Sequence, residues 1–201
     1  MRTKSSTPED RKRFRVVIFG SARIEKGDAN WNLIYHLAKR IAQEGIDIVT
    51  GGGPGLMNAA SEGHYAGDIS KNVNSIGLQI ILPKKQRNAE HLDIMKEFSR
   101  FSERLDNFIE LANVVVVAPG GIGTLLEFLY TWQLMQVKMI SHIPIILLGE
   151  IWQEFFKWVK KELLENHFID QGDVELLVLV KGNEEALNII KKTHEKFDAQ
   201  Q

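Results

Sequence analysis

Val114-Val115-Val116-Val117-Ala118-Pro119-Gly120-Gly121-Ile122-Gly123-Thr124-Leu125-Leu126-Glu127 is the stretch whose reading decides the fold. Its first five residues are apolar and mostly β-branched, which reads as a strand buried on both faces. Phe128 to Met135 continues as a helix, so the middle is a glycine turn leading into a helix start. Backbone N–H groups at a helix start have no partner within the helix, and the helix dipole adds partial positive charge there. Gly121 and Gly123 lack a Cβ, so an anion can approach the backbone closely. Thr124 adds a hydroxyl donor. Gly120, Gly121, Ile122, Gly123 and Thr124 together read as a phosphate cradle. Glu127 stands one turn further in, where a carboxylate repels phosphate unless it faces another part of the ligand. We read it as aimed at the sugar carbon that the phosphate positions. The alternative is a glycine turn that is only a structural joint, with Glu127 suiting the first turn of the helix.

Outward from this stretch, strands and helices alternate. Arg15 to Gly20 is a short apolar run ending in Gly20-Ser21-Ala22-Arg23, the first strand and its turn. Asp28 caps a helical pattern with apolar positions at Leu33, Ile34, Leu37, Ala38, Ile41 and Ala42, and Gly45 stops it. Ile46 to Thr50 is a second strand running into Gly51-Gly52-Gly53-Pro54-Gly55, with a helix from about Leu56. Ser75 to Leu82 is a third strand closed by Pro83, followed by the basic loop Lys84-Lys85-Gln86-Arg87-Asn88. Ile94 to Phe98 reads as a short strand and Ser102 to Ala112 as a helix. Beyond the central stretch, His142 to Gly149 is a strand and Trp152 to Asn166 an amphipathic helix. Leu176 to Val180 is a last strand, and Asn183 caps a helix to about Phe197.

This alternation predicts an α/β fold: a Rossmann-like, doubly wound, mostly parallel sheet with helices on both faces. Ligands of such sheets bind beyond the carboxyl ends of the strands, where three glycine-bearing turns fall here. At 201 residues the chain fits one domain over 14–201, behind a loose tail of about residues 1–13. A net charge of −1 gives no bulk drive toward nucleic acid. The absence of cysteine excludes disulfides and thiolate catalysis and fits a cytoplasmic setting. Residues 1–15 carry no secretory h-region, and no apolar run is long enough to span a membrane, so no membrane partner is expected. The six histidines show no metal-type spacing, and no metal or cofactor is expected.

Gly51-Gly52-Gly53-Pro54-Gly55-Leu56-Met57 and Pro119-Gly120-Gly121-Ile122-Gly123-Thr124-Leu125-Leu126-Glu127 resemble the paired signatures GGG-x-G-[LI]-M and PGG-x-GT-x-x-E of the Lonely Guy (LOG) family, whose members are often mislabelled lysine decarboxylases. The resemblance runs from about Val16 to Trp158. It implies hydrolysis of the N-glycosidic bond of a nucleoside 5′-monophosphate, of the AMP or cytokinin ribotide type, releasing base and ribose 5-phosphate. It also implies a homodimer or higher homo-oligomer. The family's functional arginine, fifteen residues before the proline of the second signature, falls on Arg104, and its glutamate falls on Glu127. Three positions depart from the family pattern. Leu105 replaces a common lysine, Lys85 stands where members carry a glutamate, and Gln133 replaces a common threonine. These departures touch the surroundings that select the base more than the hydrolytic pair.

Cleaving a ribosyl C1′–N bond passes through positive charge on the sugar, which a carboxylate can stabilise while it orients a water. Glu127 takes that role. Arg104 stays protonated at neutral pH, so it binds oxygen atoms or holds Glu127, and a fork onto Glu127 would keep that carboxylate ionised. Gly20, Ser21, Gly52, Gly53 and Met57 would line the nucleoside side. Several alternatives stand. Arg104, between Glu103 and Asp106, could be a surface ion-pair residue. Met57 could belong to the core, Ser21 to a plain turn, and Lys84, Lys85 and Arg87 to a solvated loop. A non-catalytic nucleotide-binding or sensor protein on the same scaffold is the competing function. A dinucleotide oxidoreductase is disfavoured because Gly51 to Leu56 lacks the last glycine of G-x-G-x-x-G, and no P-loop Lys-Ser/Thr pair is present. No lysine is singled out for a Schiff base with pyridoxal phosphate.

Overall fold

The computed structural model describes residues 13–83 and 87–201. Strands β1 (Arg15–Phe19), β2 (Asp47–Thr50), β3 (Ser75–Ile80), β4 (Ile94–Phe98), β5 (Val114–Val117), β6 (Ile145–Leu148) and β7 (Leu177–Val180) form one sheet in the order β4-β3-β2-β1-β5-β6-β7. Every pairing is parallel. The chain builds outward from β1 to β4, then returns to lay β5, β6 and β7 on the other side. The order therefore reverses between β1 and β5, and the carboxyl ends of these two strands flank a crevice.

Both faces of the sheet are covered. Val16 and Ile18 of β1 and Val114 and Val116 of β5 pack under α1 (Ala29–Gln43), α2 (Leu56–Gly67) and α7 (Asn183–Asp198). Val17, Phe19, Val115 and Val117 pack on the other side against α3 (Phe101–Leu111), α4 (Ile122–Gln136), α5 (Ile151–Trp158) and the short α6 (Gln171–Glu175). Both faces of the central strands are apolar because each meets a helix layer. Asp28 caps α1 by accepting from the Asn30 amide, and Gly45 follows its end at a φ of +75°. The connection 81–93 between the parallel strands β3 and β4 contains no helix among its described residues. Ile94, Met95, Lys96 and Glu97 of β4, at the sheet margin, are exposed.

Some predicted boundaries move. The third strand ends at Ile80, leaving Ile81 and Leu82 exposed beside the crevice. Asn183 is the first residue of α7 rather than its cap. Its amide instead donates to the Leu33 carbonyl at 2.8 Å, which ties α7 to α1, and Gly182 takes the cap position. The amphipathic helix expected over 152–166 is α-helical only to Trp158, and Val159–Leu164 wind as a π-helix. Helix α6, with its Asp170 and Asp173 capping box, has too few residues to show a helical period. Arg13, the last residue of the expected tail, is bonded to Asp47 at 2.7 and 2.6 Å, and residues 1–12 lie outside the described residues. Among the described residues no helix is long and apolar enough to cross a membrane.

Helices α1 and α2 approach closely because Gly63 and Gly67 of α2 face the backbone of α1. A Cβ at Gly63 would lie 2.8 Å from the Tyr35 carbonyl carbon and 2.9 Å from its Cα, and one at Gly67 would lie 2.9 Å from the Lys39 carbonyl carbon. Alanine is favoured over glycine by about 1 kcal/mol in an open helix, but overpacking against backbone costs more, typically ~1–3 kcal/mol. Gly63→Ala is therefore expected to lower stability by about 1 kcal/mol or more net of that gain, read as a lower urea midpoint at unchanged slope. An unchanged or higher midpoint would show that the two helices separate freely.

Candidate active site

Two backbone hydrogen bonds tie the three glycine turns together. The Ser21 amide donates to the Pro119 carbonyl at 3.0 Å, and the Leu56 amide donates to the Ser21 carbonyl at 2.8 Å. Gly55, at a φ of +72°, lets the second turn lie against the first, since a Cβ there would meet the Ala22 backbone at 2.6 Å. The turns and the ends of β3 and β4 surround a pocket of about 850 Å³ at the point where the strand order reverses.

The amino end of α4 opens into this pocket. Gly121 is the cap residue, and no side chain caps the helix. A Cβ at Gly121 or Gly123 would meet nothing within 4 Å, so both present bare backbone to open space. Gly121, Ile122, Gly123 and Thr124 line the pocket. Gly120 does not. Its missing side chain leaves room for Thr124, whose Cβ would lie 2.5 Å from a Cβ at Gly120. Gly120 thus shapes the turn rather than facing a ligand.

Arg104 and Glu127 meet in the pocket wall. Arg104 stands on α3 and Glu127 on α4, and Arg104 Nη2 donates to Glu127 Oε1 at 2.6 Å. Both side chains are about one-tenth exposed. The contact is a single hydrogen bond rather than a fork. Arg104 Nε has no partner among the described residues, and the guanidinium lies 5.6 Å and 5.5 Å from the Phe101 and Phe108 rings. The surface ion-pair reading of Arg104 is thus set aside. A buried, incompletely bonded cation within a pocket is unsatisfied in the isolated protein and suited to an anionic or hydroxyl-bearing ligand.

Burial decides the charge of Glu127. Removal from water raises its pKa from 4.5 to about 7, while the Arg104 charge pulls it down. The fork onto Glu127 that would keep the carboxylate ionised is not formed, and with one hydrogen bond desolvation outweighs the cation. Arg104 is itself lowered by burial and supported by Glu127, and we assign the titration near neutrality to the carboxylate, because guanidinium keeps its proton.

The remaining expected residues fall as follows. Gly20, Ser21, Gly53 and Met57 line the pocket. Met57 is outside the core clusters and its Sδ would lie 2.8 Å from a Cβ at Gly51, beside Arg104 Nη1 at 3.8 Å. The Ser21 hydroxyl accepts from the Arg23 amide at 3.1 Å, so it also serves the turn. Gly52 is outside the lining. Its carbonyl accepts from Gln79 Nε2 and the Ala89 amide, both at 2.8 Å, and its φ is +66°. Leu105 and Gln133, two of the departures from the family pattern, are also outside the lining. Leu105 is buried and Gln133 is exposed. Lys84 and Lys85 lie outside the described residues, and Arg87 lines the pocket. Sequence reasoning missed Arg23, Gln79, Glu97 and Phe101, which also line it. Only topology brings β3, β4 and the start of α3 to the same mouth, and no local motif signals that.

A family model described as "Possible lysine decarboxylase" matches residues 57–190. A cytokinin riboside 5′-monophosphate phosphoribohydrolase LOG of Oryza sativa subsp. japonica is 33% identical over 129 residues, 62% of this chain and 52% of that protein. A pyrimidine/purine nucleotide 5′-monophosphate nucleosidase of Escherichia coli (strain K12) is 28% identical over 147 residues, 67% of this chain and 30% of that protein. The matched region thus spans about half or less of the length of these curated relatives. Among solved structures, a molybdenum cofactor binding protein from Rippkaea orientalis superposes with a TM-score of 0.65 at 20% identity, covering 90% of this chain and 96% of that one. DNA processing protein A from Helicobacter pylori gives 0.57 at 18% identity, covering 93% and 85%. These structures are alike in fold alone.

The balance at Glu127 is measurable without a ligand. With 13C-labelled glutamate, the residue-127 carboxyl resonance is expected to titrate near pH 7. Arg104→Gln removes the only cause that lowers it, so the midpoint should move up. A wild-type midpoint near or below 4.5 would show that the cation fully offsets burial.

Proposed function

The chain belongs to the family whose model is described as "Possible lysine decarboxylase", the Lonely Guy (LOG) family, and from this we propose that it is a nucleoside 5′-monophosphate phosphoribohydrolase. The observation that carries the proposal is the buried Arg104–Glu127 pair, 2.6 Å apart, in the wall of a pocket that begins at the open amides of Gly121 and Gly123. The names of the rice and Escherichia coli relatives support the substrate class.

In this reading the 5′-phosphate docks on the amides of residues 121–124, where oriented N–H groups and the helix dipole favour a dianion. The ribose then lies toward Glu127 and Arg104. As the C1′–N bond lengthens, positive charge builds on the sugar, and the ionised carboxylate stabilises it. Water supplies the oxygen that ends on C1′. Its proton passes to Glu127 and is given up again through solvent, while the departing base nitrogen takes up one proton, so that base and ribose 5-phosphate account for all atoms of nucleotide and water. Arg104 keeps its proton throughout and acts by holding Glu127 and sugar or phosphate oxygens. No lysine lines the pocket among the described residues, and lysine decarboxylation is not proposed.

The proposal includes a homo-oligomer in a cytoplasmic setting. Ile122, Leu126, Leu129 and Val137 expose an apolar stripe along and just beyond α4 that suits a contact between copies. Light scattering reads the subunit count.

Incubation with AMP is expected to release adenine and ribose 5-phosphate, separable by chromatography. Glu127→Gln keeps the volume and removes the charge, and should lower kcat by about 10²–10⁴. AMP bound tightly but never cleaved would instead leave a nucleotide-binding protein on this scaffold. Full activity of Glu127→Gln would remove the carboxylate from the mechanism.

A further inference from the structure

The end of the pocket away from α4 carries polar groups that the proposed reaction does not use. Gln79 and Glu97 are register partners on β3 and β4, so their side chains leave the same face of the sheet side by side. Both line the pocket. Gln79 Nε2 donates one of its two hydrogens to the Gly52 carbonyl at 2.8 Å, which fixes the amide and sets which way Oε1 faces. Among the described residues Gln79 Oε1 accepts no hydrogen bond, and Glu97 has neither a hydrogen bond nor an ion pair. Gln79 Oε1 and the Glu97 carboxylate therefore stand together at this end, and neither is matched by a donor among the described residues.

The Gln79 amide stands about one nucleotide's length from the cradle, with Glu97 one strand farther out. Gly52 follows β2, which lies two strands from β5 in the sheet, or about 10 Å at ordinary strand spacing. The Gln79 amide reaches back to that point. A nucleoside monophosphate anchored by its phosphate at the end of β5 would bring the far edge of its base to this region. Bare amides lie at one end of the pocket and the Glu97 carboxylate at the other, with Arg87 and Asn88 also in the lining.

We propose that the Gln79–Glu97 pair is the specificity determinant of the base, accepting hydrogen bonds from an exocyclic amine. This rests on the nucleotide reading above. Adenine and cytosine carry such a donor, whereas hypoxanthine and uracil present a carbonyl oxygen at the same place. An oxygen set against two acceptors leaves three lone-pair groups facing one another with no proton between them. Glu97 makes the larger contribution because a charged acceptor binds an amine more strongly than an amide does.

The test compares matched pairs. For the wild type, kcat/KM and, on Glu127→Gln, Kd by calorimetry are measured for AMP against IMP and CMP against UMP. A preference of roughly tenfold or more for the amine-bearing partner of each pair is expected. Glu97→Gln can turn a donor toward a carbonyl, so it should cut that ratio several-fold, with Gln79→Ala giving a smaller change. A structural role would weaken both members of a pair equally. Equal wild-type ratios, or a ratio unmoved by Glu97→Gln, overturns the assignment even where hydrolysis is rapid. Tighter AMP than IMP binding without any turnover upholds it while the hydrolase reading falls. Failure to bind any of the four overturns both.

Discussion

A carboxylate taken out of water beside a guanidinium is the constraint on which the site depends. Neither group is stable where it lies without the other. Burial pushes Glu127 toward its neutral form, Arg104 draws it back, and the outcome falls near neutrality. Removing one partner of such a pair commonly costs several kcal/mol, because the survivor stays buried and uncompensated. Two helices on one face of the sheet must therefore keep a fixed spacing, α3 delivering the cation and α4 the anion. The Phe19 and Phe108 rings, edge to face at 5.1 Å, help hold α3 against β1 beneath them.

The second requirement is that three separate turns behave as one surface. Ser21 is central to this. Its amide reaches the third turn, its carbonyl receives the start of α2, and its hydroxyl holds the Arg23 amide. The residue earns its place as a junction as well as through its position in the pocket wall. Gly51 and Gly55 act by what they lack, since the Met57 side chain and the first turn occupy the space that side chains would need.

Much of this was legible in the residues. Four consecutive valines could only be a strand covered on both sides, and Asp28 and Gly45 marked the limits of α1 by ordinary capping chemistry. The signatures around Gly53 and Gly121 located the pocket before any coordinates did. What escaped was whatever depended on distance in the chain. The spacing from the second signature marks Arg104, but its burial was not legible, because between two acids it also reads as a surface residue until α3 turns it inward. Gln79 and Glu97 are unremarkable in a strand pattern, and only the parallel pairing of β3 with β4 sets them side by side. Asn183 has the chemistry of a cap, yet the carbonyl of Leu33, far away in sequence, offered its amide a better partner.

The bare margin at β4 has one more implication. An edge strand offers the free amides and carbonyls of its outer side to any passing chain, and the exposed Ile94 and Met95 add apolar surface there. Lys96 and Glu97 are the next two residues, and their hydrated charges make lateral growth into an aggregate unfavourable. The same glutamate then serves colloidal solubility as well as the pocket, so that end of the fold is under two pressures at once, and drift toward an apolar residue there is opposed by both.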